Sequence, residues 1–418
     1  MGSTFTTYTA LLKERYGDPS IVEELTYPEN VLLSLLDKKG DTGMSGADLK
    51  VPVIGTNPQG LGGVFSTAQT NATNIAANAF SVVAGDYFGV VQIGDKVFMA
   101  SRTNNGAYLE NKRVEIDGLY EQAGENLSIY LWGNGGQALG QVASISTNDV
   151  FLTDASQSGN FEAGMVLVAS TGDGASTSDT LKAGSASLTS VNRATGDLLL
   201  NTVATITGTL AVSDFLFRQS DFFGNVGSIP LKGIQCYVPA TDAQVNTTLW
   251  GMTGATRITD IQRYGGCRVD PTLLQGKTIE ERIKILLAQM TGRFKAKAPT
   301  AGFMNPEDFQ QLETLLSARG IRPLEDDNTK FGFMKIEIAT AAGRIPIYTD
   351  RHCPKGNFFA FRMDNLAMHS MGELLHPQTG DGLEILRRAT STDYEFRLLS
   401  YPLLAVNAPK NLGRCSLT

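Results

Sequence analysis

Residues 51–85 contain no Asp, Glu, Lys or Arg, and the charges that border this run are Lys50 and Asp86. Charged residues make up about a quarter of an average soluble protein, so a run of this length without any is unusual. The run is too rich in Gly, Asn, Thr and Pro for a membrane-spanning helix. A segment that a neighbouring protein covers is expected to lack charge, because each buried charge must give up its hydration.

The two ends of this uncharged run have the composition of β-strands. Residues 49–55 predict an outgoing strand and residues 79–101 a returning strand, and the turn signals "NPQG" and "LGG" lie between them. We therefore predict a long β-hairpin with an elaborated tip. Residues 1–50 hold only two short helical patterns, Tyr8–Tyr16 and Pro28–Lys38, which indicates an extended arm without a core of its own.

A stripe of apolar residues at spacings of three, four and seven predicts a helix over residues 105–132. At 1.5 Å per residue this helix is about 42 Å long. Gly118 and Gly124 lie inside it, and each costs about 1 kcal/mol of helix stability relative to Ala. Packing against the rest of the protein must therefore support the helix.

From about residue 142 to residue 222 the sequence consists of short apolar runs divided by Gly, Ser, Asn and Asp. We predict a small all-β module here, a barrel, and "VNRATGDLLL" indicates one of its hairpins. The strand candidates are "ASIS", "DVFLTD", "GMVLVAS", "ASLTSVN", "DLLLNTV" and "DFLFRQS".

After residue 223 the pattern mixes helices and strands. Thr278 and Glu281 fit a capping box that opens the helix "IEERIKILLAQMTGRF". A second helix has Asn305 as N-cap, Pro306 in its first turn and Gly320 past its end. The strand candidates are "APTAGFM", "GRIPIYTD", "GNFFAFRM" and "EFRLLSYPLLAVN".

The net charge of -7 and the pI near 5.2 argue against tight binding to a phosphate backbone, which requires clustered Lys and Arg. Two modest basic spots are Arg387–Arg388 and the group Arg293, Lys295 and Lys297. Solvated helix ends, salt bridges with a partner and weak contact with a nucleic-acid backbone are all compatible with them.

The sequence also bears on the compartment. The four cysteines are scattered and form no C-x-x-C pair, so buried free thiols are expected. Neither a signal-peptide pattern nor an apolar run long enough for a transmembrane helix is evident, so we expect synthesis in a reducing cytoplasm and no membrane partner. The cysteines are Cys236, Cys267, Cys353 and Cys415.

No constellation of residues suggests catalysis. The segment "QGKT" lacks a phosphate loop's first glycine, which Pro271 replaces, and Thr278 is better explained as a helix cap. The segment "GNGGQALG" follows a helix instead of a strand, which indicates a helix stop and a linker. His352, His369 and His376 lack the spacing of metal ligands. We expect no enzyme activity, no cofactor and no bound metal.

In this order, the elements resemble the tailed-bacteriophage major capsid proteins of the Hong Kong 97 type. The resemblance covers nearly the whole chain except residues 142–222, which look like the extra domain that some members carry. The stretches that carry it are "VPVIGTNPQGLGGVFSTAQTN", "GAYLENKRVEIDGLYEQAGENLSIYLWGNGGQALG", "IPLKGIQCYVP", "AGFMNPEDFQQLETL" and "GRIPIYTDRHCPKGNFFAF".

The resemblance implies an α+β capsid fold with a small, barrel-like all-β insertion. The implied parts are an N-terminal arm (1–47), an extended loop (48–101), a spine helix (102–141), the inserted β domain (142–222), an axial domain with peripheral-domain strands (223–375) and C-terminal strands (376–418). The implied inter-subunit contacts lie in the extended loop, at Asn57, Gln59, Leu61, Val64, Phe65, Gln69 and Asn71.

The resemblance further implies a structural protein that self-assembles into pentamers and hexamers of an icosahedral shell around double-stranded DNA. Its implied partners are a separate scaffolding protein, a portal and a decoration protein, with only weak, non-specific contact to the packaged DNA. Its implied location is the virion, after synthesis in the cytoplasm of a bacterial host.

Two departures from the family refine these expectations. Some members cross-link through a lysine in the extended loop, but no lysine lies between Lys50 and Lys96, so we predict non-covalent stabilisation. Other members begin with a large, cleaved scaffold segment, whereas here the hairpin starts near residue 48. This early start is the reason for expecting a separate scaffolding protein.

Three alternatives remain open from the sequence. A cellular nanocompartment shell of the encapsulin type has the same fold but an enzyme cargo. A β-rich phage tail protein or adhesin uses a module such as residues 142–222 to bind glycans, although the long helix disfavours it. A nucleotide-dependent enzyme depends on "QGKT" alone.

Overall fold

The chain forms two compact units in the computed structural model. The first comprises Met1–Ser34, Gly85–Lys232 and Ser370–Pro402, and the second comprises Leu35–Ala84, Gly233–His369 and Leu403–Thr418. The structure describes residues 23, 25–28, 30–40, 48–94, 105–176, 178–206, 210–219, 221–222, 231–317, 324–325, 334–340, 343–378, 385–388 and 393–417.

A long helix, Asn105–Trp132, organises the first unit and has the bounds that the apolar stripe predicts. It packs on a four-stranded sheet, in which Tyr87–Ile93 pairs antiparallel with Tyr394–Ser400. The rings of Tyr120 and Phe396 lie 6.3 Å apart at this contact. The other two strands are His376–Pro377 and Ile385–Arg387. Buried side chains of the helix are Ile116, Tyr120, Ala123, Leu127, Tyr130, Leu131 and Trp132.

The prediction of one returning strand over residues 79–101 is wrong. The chain instead forms two strands, Ala76–Val83 and Tyr87–Ile93, which belong to different sheets. The break is at the buried Gly85, whose N–H donates to the carbonyl of Pro402 at 2.9 Å and so leaves the hairpin ladder. Residues 95–101 of the predicted strand lie outside the described residues.

The predicted helices of the N-terminal arm also need correction. The helix predicted over Pro28–Lys38 is limited to Val31–Leu35. The next residues, Asp37–Lys39, form a strand that pairs in parallel with Ala367–His369, because a neighbouring strand offers backbone partners there. The pattern Tyr8–Tyr16 lies outside the described residues.

The inserted module is a closed six-stranded barrel, which confirms the predicted barrel and each of its strand candidates. Its core is apolar, and the strand Phe215–Arg218 closes it by pairing with both the first and the third strand. The strands in barrel order are Phe215–Arg218, Gly140–Ser146, Asp149–Leu152, Asp197–Leu200, Ala186–Asn192 and Val166–Ser170.

A buried polar network joins the barrel to the long helix. Arg218 Nη2, at the end of the last barrel strand, donates to Asn126 Oδ1 at 2.8 Å, and Asn126 Nδ2 donates to the hydroxyl of Tyr87 at 3.2 Å. The hydroxyl of Tyr130 donates to Asp221 Oδ2. Burial raises the pKa of Asp221 and of Tyr130. Breaking one of these hydrogen bonds would leave a polar atom without a partner away from solvent, which is unfavourable. The network therefore fixes the position of the barrel relative to the helix.

A seven-stranded mixed sheet forms most of the second unit. The predicted caps are confirmed, since Thr278 and Glu281 form a capping box and Asn305 Oδ1 accepts from the N–H of Glu307 at 3.0 Å. Gly320 lies outside the described residues. The strands in sheet order are Cys267–Arg268, Leu412–Ser416, Asn357–Phe361, Ala301–Met304, Gly343–Thr349, Met334–Thr340 and Leu324–Glu325.

The second unit also contains α-helices, a three-stranded sheet and a two-stranded hairpin. The α-helices are Ile234–Tyr237, Asp242–Val245, Gly254–Arg257, Ile261–Gly265, Ile279–Thr291 and Pro306–Ser317. The three strands are Asp37–Lys39, Leu366–Ser370 and Pro402–Val406, and the hairpin strands are Asp48–Thr56 and Ala76–Val83. The single predicted run 395–407 therefore divides between two sheets.

The four cysteines are free thiols, as the sequence predicts. Cys267, Cys353 and Cys415 are buried, and Cys236 is half-buried. Desolvation raises the pKa of the Cys267 and Cys415 thiols to about 12. These groups therefore stay protonated at neutral pH and are poor nucleophiles.

We expect opposite effects from alanine at the two glycines of the long helix. A Cβ atom at the exposed Gly118 meets nothing within 4 Å. Gly118→Ala should therefore raise the free energy of unfolding by about 0.5–1 kcal/mol, because Ala loses less backbone entropy in a helix.

Gly124→Ala is the matched test of packing at the same helix. A Cβ atom there would lie 2.6 Å from Thr26 Cγ2 and 2.8 Å from the Thr26 carbonyl oxygen. We expect it to lower the free energy of unfolding by about 1–3 kcal/mol. Urea denaturation followed by circular dichroism measures both values. Equal effects of the two substitutions would contradict the described packing.

Candidate intersubunit surface

The base of the hairpin is part of the core of the second unit. Its outgoing strand, Asp48–Thr56, alternates buried and exposed residues along its length. This alternation places one face of the hairpin against the protein and the other towards solvent. The buried side chains are Leu49, Val51, Val53, Phe80 and Val82.

A tight turn holds the returning strand at its base. Trp250 and Gly251 both have left-handed backbone, with φ of 50° and 79°, and Leu249 and Met252 close the turn with a β-bridge. The carbonyl of Trp250 accepts a hydrogen bond of 3.0 Å from the N–H of Ser81. Left-handed backbone at a non-glycine residue such as Trp250 is unfavourable. The turn therefore lowers the stability of the fold slightly while it directs this carbonyl at the hairpin.

A second anchor lies where the hairpin ladder loses its register, between Ile54 and Thr56. Arg263 Nη1 donates to the carbonyl of Gly55 at 2.6 Å, and Arg263 Nε lies 3.0 Å from Asp260 Oδ2. The ion pair orients the guanidinium and leaves its outer N–H for the hairpin backbone. The hairpin is therefore held at its irregularity by a charged donor.

Tyr264, the residue after Arg263, touches both strands of the hairpin. Its hydroxyl accepts a hydrogen bond of 2.9 Å from Asn78 Nδ2 on the returning strand. On the outgoing strand, a Cβ atom at Gly55 would lie 2.1 Å from the same hydroxyl oxygen. A side chain at this position would therefore have to displace the tyrosine hydroxyl, which is hydrogen-bonded to Asn78.

Beyond this anchor the hairpin has no core. No residue from Thr56 to Ala79 is buried, and the short helix Phe65–Thr70 within this tip has no buried side chain. Leu61 is 84% exposed, Phe65 80% and Val64 59%. Such exposed apolar groups close together are typical of a surface that a partner covers.

Local hydrogen bonds give the tip a defined shape despite its exposure. The N–H of Gln59 donates to Thr73 Oγ1 at 2.9 Å, which joins the two sides of the tip. Gln59 Nε2 donates to the carbonyl of Asn57 at 3.1 Å, and Thr70 Oγ1 donates to the carbonyl of Ser66 at 2.9 Å. The tip is thus a preformed polar scaffold that displays a few apolar side chains.

All seven predicted contact residues lie in this tip, and all are exposed in the single chain. The structure therefore brings them together on one uncharged segment, and their contact with a second subunit stays a prediction. Sequence analysis missed the short helix in the tip and the anchors at Trp250, Arg263 and Tyr264. No local pattern marks those anchors, because each contacts a strand that is distant in the sequence.

The described residues offer no other obvious functional centre. They contain no group of three or more His, Cys, Asp or Glu side chains arranged to hold a metal ion. None of the helices among them is long and apolar enough to span a membrane.

No protein-family model and no curated protein matches the sequence. Among solved structures, a chain of the cyanophage A-1(L) capsid asymmetric unit matches with a TM-score of 0.52 at 12% sequence identity, covering 93% of this chain and 92% of that chain. The chain has a Hong Kong 97-type capsid fold. The closed six-stranded barrel is a small insertion in this fold.

Two further matches have lower TM-scores. A capsid chain of the empty GTA particle aligns over 94% of this chain and 90% of that chain, with a TM-score of 0.45 and 8% identity. The encapsulin of the holo-SrpI complex from Synechococcus elongatus PCC 7942 aligns over 93% and 87%, with a TM-score of 0.43 and 9% identity.

We expect Arg263→Ala to loosen the hairpin at its anchor. A hydrogen bond from a charged donor is worth about 1.5–3 kcal/mol, so local opening should become about ten-fold or more frequent. Hydrogen exchange measured by mass spectrometry should show faster exchange in peptides covering residues 52–56 and 76–80. Arg344→Ala, at an exposed arginine of the seven-stranded sheet, is the control and should leave those peptides unchanged.

Proposed function

We propose that this chain is a structural major capsid protein that assembles into an icosahedral shell around a phage double-stranded DNA genome. The observation that carries the proposal is the hairpin tip, which is uncharged, shaped by its own hydrogen bonds and without a core. The capsid fold agrees with a structural role, and we assign this tip to the extended loop of that fold.

Many weak contacts of this kind are sufficient for a closed shell. Each additional contact within an assembly is effectively intramolecular, so modest interfaces together give a stable particle. A tip without charge loses little hydration free energy when a neighbour covers it. We propose that Asn57, Gln59, Leu61, Val64, Phe65, Gln69 and Asn71 make this inter-subunit contact.

The finer parts of the proposal follow the capsid fold. The subunits form hexamers and pentamers, and the partners are a separate scaffolding protein, a portal and a decoration protein, with weak contact to packaged DNA. The chain is made in the cytoplasm of a bacterial host and resides in the virion. We propose that the chain divides into an arm (1–47), an extended loop (48–101), a spine region (102–141), an insertion (142–222), an axial region (223–375) and C-terminal strands (376–418).

Electron microscopy of the purified protein tests the assembly directly. We expect closed shells with pentameric and hexameric capsomers when the chain is expressed with its scaffolding protein. Particles from infected cells should contain DNA, whereas an encapsulin-type compartment should contain an enzyme. A protein that stays monomeric under every assembly condition would contradict the proposal.

Charge placed on the tip should block assembly without unfolding the subunit. In Leu61→Asp/Phe65→Asp, each carboxylate must be desolvated when the neighbour binds, so shells should be lost in electron micrographs and light scattering. The free energy of unfolding should change by no more than about 0.5 kcal/mol, because both sites are exposed. Val212→Asp, at a 61% exposed valine of the barrel, is the control and should still assemble.

Shells should dissociate fully into single chains on a denaturing gel. The reason is that the extended loop has no lysine between Lys50 and Lys96 to form an isopeptide bond. Boiling in detergent is expected to give one band at 44.8 kDa. A ladder of covalent multimers that survives reducing agent would refute non-covalent stabilisation.

A further inference from the structure

A group of cations follows a helix of the second unit and takes no part in the hairpin or its anchors. Arg293, Lys295 and Lys297 follow the helix Ile279–Thr291 and are exposed. Between them, Phe294 is half-buried and Ala296 is buried, so alternate residues carry a cation towards solvent. This segment stands out because the chain as a whole has a net charge of -7.

Backbone contacts add a fourth cation to this segment. The N–H of Lys297 donates to Asn411 Oδ1 at 2.9 Å, and the half-buried Lys410 directly precedes Asn411 in the sequence. Arg362 ties the two parts together, since its Nη1 donates to the carbonyl of Ala298 at 3.3 Å and its N–H to the carbonyl of Asn411 at 3.3 Å. We call Arg293, Lys295, Lys297 and Lys410 the basic surface.

In the described part of the chain no acid lies within ion-pair distance of the basic surface, although Arg293 adds to the lowering of the Asp270 pKa that hydrogen bonds from Thr272 cause. Arg362, in contrast, is paired with Asp364 at 3.0 Å, and for this reason we leave it out of the basic surface. Unpaired cations close together raise the local positive potential and attract a polyanion.

Stabilisation of a helix end explains only part of this pattern. Arg293 and Lys295 lie just after a helix, where a cation interacts favourably with the helix dipole, but this effect fades within a turn. Lys297 is beyond that range, whereas Lys410 lies in the last turn of a short 3-10 helix, Pro409–Asn411. Lys295 also has left-handed backbone, with φ of 50°, an uncommon conformation for a residue other than glycine.

We propose that the basic surface binds the phosphate backbone of duplex DNA without reading its sequence. This inference rests on the proposed function, and it identifies the part of the chain that touches the genome. Lysine and arginine gain affinity for DNA by releasing condensed counterions, whatever the base sequence. The exposed members of the surface are cations without an exposed aromatic side chain between them, so base stacking plays no part.

A surface of only four cations binds DNA weakly, which suits a shell that must hold its DNA without fixing it in place. Non-specific affinities are typically about 10⁻⁴–10⁻⁶ M at physiological salt, so one subunit holds DNA only briefly. Repetition of the surface in a shell multiplies these contacts. An acidic polypeptide is the alternative ligand for such a surface, and a comparison of its affinity with that of duplex DNA distinguishes the two.

Fluorescence anisotropy with a labelled duplex of about 25 base pairs tests the proposal. The full-length chain is kept monomeric by dilution and checked by light scattering, and binding is measured over a series of salt concentrations. We expect the logarithm of the affinity to fall with the logarithm of salt with a slope of about -3 to -4. Lys295→Gln/Lys297→Gln should reduce this slope by about 2 and weaken binding at low salt about ten-fold.

The control variant is Lys284→Gln/Lys355→Gln, which makes the same change in net charge at lysines that are paired with Glu280 and Glu307. It should bind DNA like the unmodified chain. Equal loss in both variants, or in neither, would overturn the assignment of the surface. Stronger binding of polyglutamate than of DNA would overturn the assignment of the ligand. These outcomes are independent of shell formation, because DNA binding is measured on the single chain whether or not that chain can assemble.

Discussion

The proposed assembly of this chain depends on a single hairpin whose two halves are stabilised differently. The base is buried and anchored by Arg263, Tyr264 and the Trp250 turn, whereas the tip has only local hydrogen bonds and exposed apolar groups. The apolar free energy that the tip fails to gain within its own chain is available only from another molecule. The buried base gives way to the exposed tip at Gly55, where the pairing of the two strands shifts register.

The elements that sequence analysis predicts well are those with a strong local signal. The long helix, the capped helices and the six barrel strands are each determined by periodicity or by a cap within a few residues. Lack of charge in the tip is likewise visible in the sequence, whereas contact of its seven named residues with a second subunit stays a prediction. Exposure of that segment follows from its composition.

The features that the sequence does not reveal are set by distant partners. The strand predicted over 79–101 divides because Gly85 bonds to Pro402 and Tyr87–Ile93 pairs with Tyr394–Ser400. The helix predicted at Pro28–Lys38 loses its end to a strand for the same reason. The Arg263 anchor lies far along the chain from the hairpin it holds, so no spacing rule applies. Pairing between distant strands outweighs local propensity here.

The barrel has one further consequence, for how this fold changes in size. Its first and last strands, Gly140–Ser146 and Phe215–Arg218, are hydrogen-bonded neighbours, so the insertion leaves the host fold where it entered. Lengthening a loop whose ends already meet costs only about 0.6 kcal/mol per doubling of its length. Inserted segments of very different length are therefore tolerated at this point without strain on the surrounding fold. The position is suited to the gain or exchange of whole domains.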